Sequence, residues 1–172
     1  MFSVGDRIAH PMRNIVKDGD DRLLKHSRPV TEFNDRLHVL LDDMRETLLQ
    51  SGGVGLAAVQ VGALRRAVIV IETNVPEGED DKIIELVNPK IVAWEGEQNG
   101  PEGCLSFPGK YGLVKRPDHV RVQAQDRNGN SFEVEGEGLT ARCFCHEIDH
   151  LDGIVFTARA SRMLKPEEYD NN

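Results

Sequence analysis

The stretch CFCHEIDHLDG, Cys143 to Gly153, constrains the fold more than any other part of this chain. Leu139 to Leu151 reads as a helix, with Thr140 placed to cap its start and Gly153 just past its end. On an α-helix, positions i and i+4 are separated by roughly 40° of rotation and about 6 Å of rise, so His146 and His150 can meet one ion. Glu147 lies about 100° round from His146, at the edge of that face, where it can reach a water on a metal rather than the metal itself. A charged helix with two unrelated histidines is the plain alternative, and only context decides between the two.

The context is one domain. At 172 residues and 39% hydrophobic, the chain can bury a real core but not two comfortable ones. Thr31 to Gln50 carries Leu37, Leu40, Leu41, Met44 and Leu48 at helical spacing, and Gly52-Gly53 supplies a stop. RRAVIVI (65–71) is a short β-branched run, and IIELVNPKIVAW (83–94) reads as extended chain interrupted by a turn at Asn88-Pro89. HVRVQAQ (119–125) and SFEVEGE (131–137) alternate around Asn128-Gly129, a hairpin signal. Strands therefore fill the middle and the histidine helix follows them. No repeat, low-complexity tract or linker divides the sequence.

Charge and hydropathy narrow the partners. A formal net charge of −8 with no run of Lys or Arg disfavours nucleic acid and anionic membranes. No apolar run approaches a membrane span, and MFSVGDRIAHPM lacks the basic and apolar regions of a signal peptide, so the expected compartment is the cytoplasm. Three cysteines do not make a disulfide framework there, which leaves Cys104 free for chemistry.

A catalytic ion commonly has three protein ligands and an open position. Downstream of the helix only Glu167 and Glu168 remain, with no obvious means of reaching back. The better candidate is Cys104, in GPEGCLSFPGKYG, where glycine and proline shape the backbone sharply. A small buried residue is the other reading of a lone loop cysteine; the histidine pair favours the ligand, because a metal would hold its thiolate below the free pKa of about 8.5. GGVGLAAVQVG, Gly52 to Gly62, follows a helix and lacks the remaining glycine or the lysine of a phosphate loop. It offers a closely approachable backbone and one amide, Gln60, or else is a plain helix-to-strand turn.

Taken in order, GVGLAAVQ (53–60), EGCLS (102–106) and HEIDH (146–150) resemble the three signature motifs of the peptide deformylases, and the similarity runs from about Arg13 to Phe156. The resemblance implies an α+β fold, a single domain of antiparallel strands packed around a central metal-binding C-terminal helix. It sets residues 1–12 apart as an N-terminal extension, makes 13–156 the catalytic domain and leaves 157–172 as a short polar tail. The implied reaction is hydrolysis of the formyl group from the N-terminal formyl-methionine of newly made polypeptides, releasing formate. Cys104, His146 and His150 would bind the metal, Glu147 would act as general acid/base, and Gln60 and the Leu105 N–H would donate to the carbonyl oxygen. Fe²⁺ is the implied ion, with Zn²⁺, Ni²⁺ or Co²⁺ possible in the same site. Val54, Gly55, Leu139 and Cys143 are the candidates for the methionine pocket. Another metal-dependent amidase or metallopeptidase is the competing reading, and a non-catalytic binding module the third.

Two positions depart from the family pattern: Cys145 where glutamine is usual, with a risk of oxidation, and Val59 where proline or threonine is common. Some family members carry a longer C-terminal helix that docks on the ribosome, so ribosome association is left open by the short tail. Glu102 is expected to form a structural ion pair, and Asp149 either orients a ligand, pairs with Arg142 or Arg116, or is solvated. Trp94 and Tyr111 are expected to pack, and His10, His26, His38 and His119 to be structural or surface residues.

Overall fold

The computed structural model describes residues 12–73 and 75–169; His10, the extension up to residue 11 and residues 170–172 lie outside the described residues. The elements run α1 (Asp35–Ser51), β1 (Gly55–Ala57), a 3₁₀ turn (Ala58–Val61), β2 (Ala67–Glu72), β3 (Lys82–Glu95), β4 (Gln98–Cys104), β5 (Phe107–Arg116), β6 (His119–Gln125), β7 (Ser131–Glu137), α2 (Leu139–Leu151), α3 (Phe156–Arg159), β8 (Arg162–Met163) and α4 (Pro166–Tyr169). Two antiparallel sheets form, one in the order β1-β2-β3-β6-β7 and one in the order β4-β5-β8. The architecture is α+β in one domain.

The apolar run 65–71 becomes β2, which is buried on both faces because a helix covers each. Val68 and Val70 point into the cluster with Ala141, Phe144 and Ile148 of α2, whereas Ala67 and Ile69 join Leu37, Leu41, Met44 and Leu48 of α1. A strand between two helices has no polar face to alternate with. β6 and β7 occupy the two runs around Asn128-Gly129, with Gly129 in the left-handed region at φ 86°. On β6, Val120, Val122 and Ala124 face the core under α2.

Three local expectations need correction. α1 begins at Asp35, not Thr31, because the Asn34 side chain accepts from Leu37 N and caps the helix there. The chain does not turn at Asn88-Pro89 but continues as β3 through a bulge, with a register shift between Val87 and Lys90. Asn88 takes φ 50°, and its amide replaces the missing ladder bonds, accepting from Val30 N at 2.8 Å and donating to Val30 O at 2.9 Å and Gln125 Oε1 at 2.8 Å. A proline, which has no N–H to donate, fits such an interruption. α2 is preceded by Gly138 at φ 59°, so Thr140 does not cap it and is buried within the first turn.

The second sheet positions the site. β4 and β5 form a hairpin whose register shifts between Gly103 and Cys104, turning Cys104 toward α2. Beyond Phe156, β8 pairs with β5 at Gly112 and Leu113, and α4 follows. Among the described residues no helix is long and apolar enough to cross a membrane.

Candidate active site

α2 places the His146 and His150 rings 4.9 Å apart, centroid to centroid, and the β4–β5 hairpin brings Cys104 to them. One ligand atom from each of the three lies within 4.8 Å of the others, and Cys104 Sγ is 3.4 Å from His150 Nε2. A thiol and two imidazoles at this separation fit a divalent transition metal.

Glu102 does more than form an ion pair. Its Oε2 accepts from His146 Nδ1 at 2.7 Å, which leaves the opposite ring nitrogen, Nε2, for an ion. The same carboxylate receives Arg116 Nε at 3.0 Å, Arg116 Nη2 at 2.7 Å and Arg142 Nη1 at 3.0 Å, all buried. Burial alone would raise the Glu102 carboxyl, but the bonds from His146 and Arg116 hold it well below the usual carboxylate range. Arg116 reaches on to Asp149 at 2.7 Å, and Asp149 is clasped from outside by Arg159 at 2.5 and 2.9 Å. Asp149 thus pairs with Arg116 and is not merely solvated, whereas Arg142 pairs with Glu102. The sequence suggests an ion pair at Glu102 and one at Asp149 but not that they join in one network, whose bonded members stand 10 to 44 residues apart.

Glu147 is buried, and among the described residues its Oε1 has no hydrogen-bond partner. Burial pushes its carboxyl up to about 7. Gly55 explains how the side chain fits, since a Cβ there would sit 2.6 Å from Glu147 Oε2. Gln60, only 1% exposed, is fixed from both ends: its Oε1 accepts from Ala57 N at 2.9 Å, and its Nε2 donates to Ser106 Oγ at 3.1 Å. The same Nε2 lies 3.4 Å from Cys104 Sγ, so the amide's N–H side faces the ligands. Ser106, fully buried, escaped notice in the sequence, although it closes the EGCLS motif.

A cavity of about 650 Å³ opens at this point. Val54, Gly55, Leu139 and Cys143 all line it, together with Cys104, His146, Glu147, Gln60 and Leu105. His150 is fully buried behind that lining. Burial pushes the Cys143 thiol up to about 12, so this wall behaves as apolar surface. Leu105 packs on the glycine stretch, where a Cβ at Gly53 would lie 2.8 Å from its Cδ1.

The two departures prove to be packing matters. Val59 is fully buried in the apolar cluster under α2. Cys145 is buried too, and burial pushes its thiol up to about 11, the reverse of the exposed, acidic thiol that oxidation favours. The expected oxidation risk is therefore corrected. Trp94 does not pack as expected but is 68% exposed on β3. Tyr111 lies in the cavity wall and also packs on Tyr169. His26 is exposed, His38 bonds Arg127 O, and His119 sits 3.6 Å from Glu135.

The sequence profile of the family described as "Polypeptide deformylase" matches residues 12–166. A peptide deformylase of Caldanaerobacter subterraneus subsp. tengcongensis is 52% identical over 159 residues, 92% of this chain and 96% of that one. Among solved structures, the peptide deformylase from Thermotoga maritima superposes with a TM-score of 0.82 at 36% identity, covering 88% of this chain and 99% of that one. A Met-ala-ser bound class I type b peptide deformylase from Acinetobacter baumannii has a TM-score of 0.80 at 34% identity, covering 87% and 99%.

Proposed function

The chain belongs to the polypeptide deformylase family, metal-dependent hydrolases that remove the N-formyl group from nascent polypeptides, and we propose which of its residues carry that reaction. Cys104, His146 and His150 hold the ion, Glu147 moves the proton, and Gln60 with the Leu105 N–H stabilises the oxygen that gains charge. The observation that carries this assignment is the convergence of the thiol and two imidazoles within 4.8 Å, at a cavity that also contains Glu147 and Gln60.

Cys104, His146 and His150 would hold a divalent ion there, which would supply Lewis-acid activation of water near neutral pH. Glu147 accepts a proton from the attacking water and delivers it to the departing amine. Its carboxyl is buried in the cavity wall with Oε1 unpartnered among the described residues, placed to take up and give back a proton there. Gln60 cannot turn its carbonyl toward the substrate without breaking the bonds to Ala57 and Ser106, so its N–H side stays toward the developing oxyanion. A fixed donor of this kind is worth about 2.7–4 kcal/mol in the transition state. Formate and a free α-amine are the products.

Val54, Gly55, Leu139 and Cys143 form the apolar surface for the methionine side chain, and the peptide bound to the Acinetobacter relative, which begins with methionine, supports that reading. Fe²⁺ is the resident ion in this proposal, with Zn²⁺, Ni²⁺ or Co²⁺ able to occupy the same sulfur and nitrogen donors. The reaction takes place in the cytoplasm on nascent formyl-methionyl chains, and the acidic net charge supports a reading without direct nucleic-acid contact. An anaerobic assay of formate release from a formyl-methionyl peptide, with metal analysis of the same sample, tests it. Formate without internal cleavage, with one ion per chain, is expected. Cleavage of unformylated peptides with no preference for the formyl end would contradict it.

A further inference from the structure

Tyr111 is a large aromatic residue in the cavity wall that belongs to none of the three apolar clusters and is 38% exposed. Its ring lies against Gly103, where a Cβ would approach Tyr111 Cε1 and Cδ1 to 2.6 and 2.8 Å. It is also the register partner of Gly103, the residue before the ligand Cys104. Paired residues are about 5 Å apart across a ladder and successive residues about 3.3 Å apart along it. Tyr111 therefore stands one residue along the ladder from the metal ligand, on the cavity wall along which the residues after a formylated methionine would run.

An exposed tyrosine on a strand is free to change rotamer unless something holds it. Here the C-terminal segment does so. The Leu164 N–H donates to Tyr111 O at 2.8 Å, and β8 pairs with β5 next to it. Glu168 is clasped by Arg162 at 3.0 and 2.8 Å and accepts from Lys165 N, which folds α4 back. That fold sets the Tyr169 ring 4.5 Å from the Tyr111 ring, tilted by 42°, with its hydroxyl donating to Gly109 O at 2.9 Å. Gly109 lines the same cavity.

We propose that Tyr169 is a positioning residue for substrate selection: it holds Tyr111 against Gly103 and so fixes the wall that receives the residues following the formylated methionine. The inference rests on the deformylase reading of the cavity. It extends that reading to the C-terminal segment, which carries no ligand and no group of the reaction.

The experiment compares formate release from formyl-methionine amide and from formyl-Met-Ala-Ser in full-length protein and in Tyr169→Ala and Tyr169→Phe. Activity of the unaltered protein reads the deformylase assignment by itself. The ratio of kcat/KM for the three-residue over the one-residue substrate reads the proposal. Tyr169→Ala is expected to lower that ratio about 2- to 10-fold, the range that loss of one aromatic contact gives, and to do so through KM. Tyr169→Phe, which keeps the ring, is expected to retain most of the ratio. An unchanged ratio in Tyr169→Ala, including an equal loss on both substrates, would overturn the proposal. So would a Tyr169→Phe protein as impaired as the alanine variant, because the hydroxyl and not the ring contact would then be responsible.

Discussion

The helix that carries His146, Glu147 and His150 is fastened to the five-stranded sheet by apolar side chains, whereas the hairpin that carries Cys104 is fastened to that helix largely by charge. On the first side Phe144, Ile148 and Leu151 sink into a cluster shared with β2, β3 and β6. On the second, a smaller cluster around Phe107, Val114 and Phe156 is joined by the buried Glu102, Arg116 and Arg142 and the half-buried Asp149. Apolar burial is non-directional and tolerates small shifts, but a carboxylate shared by two guanidinium groups and an imidazole fixes orientation. The metal site spans the seam, so its geometry requires the directional attachment on the hairpin side.

Breaking the charged attachment should have the largest effect. Glu102→Ala leaves Arg116 and Arg142 buried without their carboxylate, and should cost about 3–5 kcal/mol in denaturant unfolding. Loss of the bond to His146 Nδ1 should also weaken metal binding about 10- to 100-fold, read by competition with a chelator. A Glu102→Ala protein with unaltered metal affinity would show that packing alone orients His146.

Acid should distinguish the two sides without a mutation. Because the folded protein holds the Glu102 carboxyl below its ordinary 4.5, the stability it contributes is fully present above that pH. It is lost as pH falls through the folded value. Glu147 has the opposite sign: its carboxyl is raised to about 7, so in ion-free protein its contribution is present below pH 4.5 and lost as pH rises toward 7. Unfolding measured across pH should show both slopes, with Glu102→Gln removing the acid one and Glu147→Gln the other. A variant that kept its slope would assign that slope to another group.

On the apolar side, Ile148→Val should cost only about 0.5–1.5 kcal/mol and leave metal affinity near that of the unaltered protein. Smallest of all, Arg159→Ala removes the outer clasp on Asp149. With Arg159 44% exposed, about 0.2–1 kcal/mol is expected, shrinking as salt is added. A salt-independent loss would mean that Arg159 acts through packing of its stem.

The same division decides what could be read in the sequence. The helix side was legible because its message is local: His146 and His150 four apart, Glu147 between them, and apolar residues at helical spacing. Cys104 and Gln60 are legible because each stands in a glycine-shaped motif. The hairpin side was not, since nothing in EGCLS says that its glutamate will meet Arg116 across a strand pair and Arg142 on a distant helix. Ser106 is silent in the sequence because a buried serine has no periodic signal. The turn expected at Asn88-Pro89 failed because an asparagine side chain can take over ladder bonds that proline abandons. Tyr169 lay in a stretch that reads only as polar, and its use depends on a ring brought near by β8.

In the proposed reaction Glu147 moves the proton while Cys104, His146 and His150 hold the ion. Formate release from a formyl-methionyl peptide, measured anaerobically alongside bound metal in Glu147→Gln, tests it most directly. The prediction is metal content equal to that of the unaltered protein with turnover reduced about 10²- to 10⁴-fold. Turnover at the unaltered rate with the metal in place would contradict it.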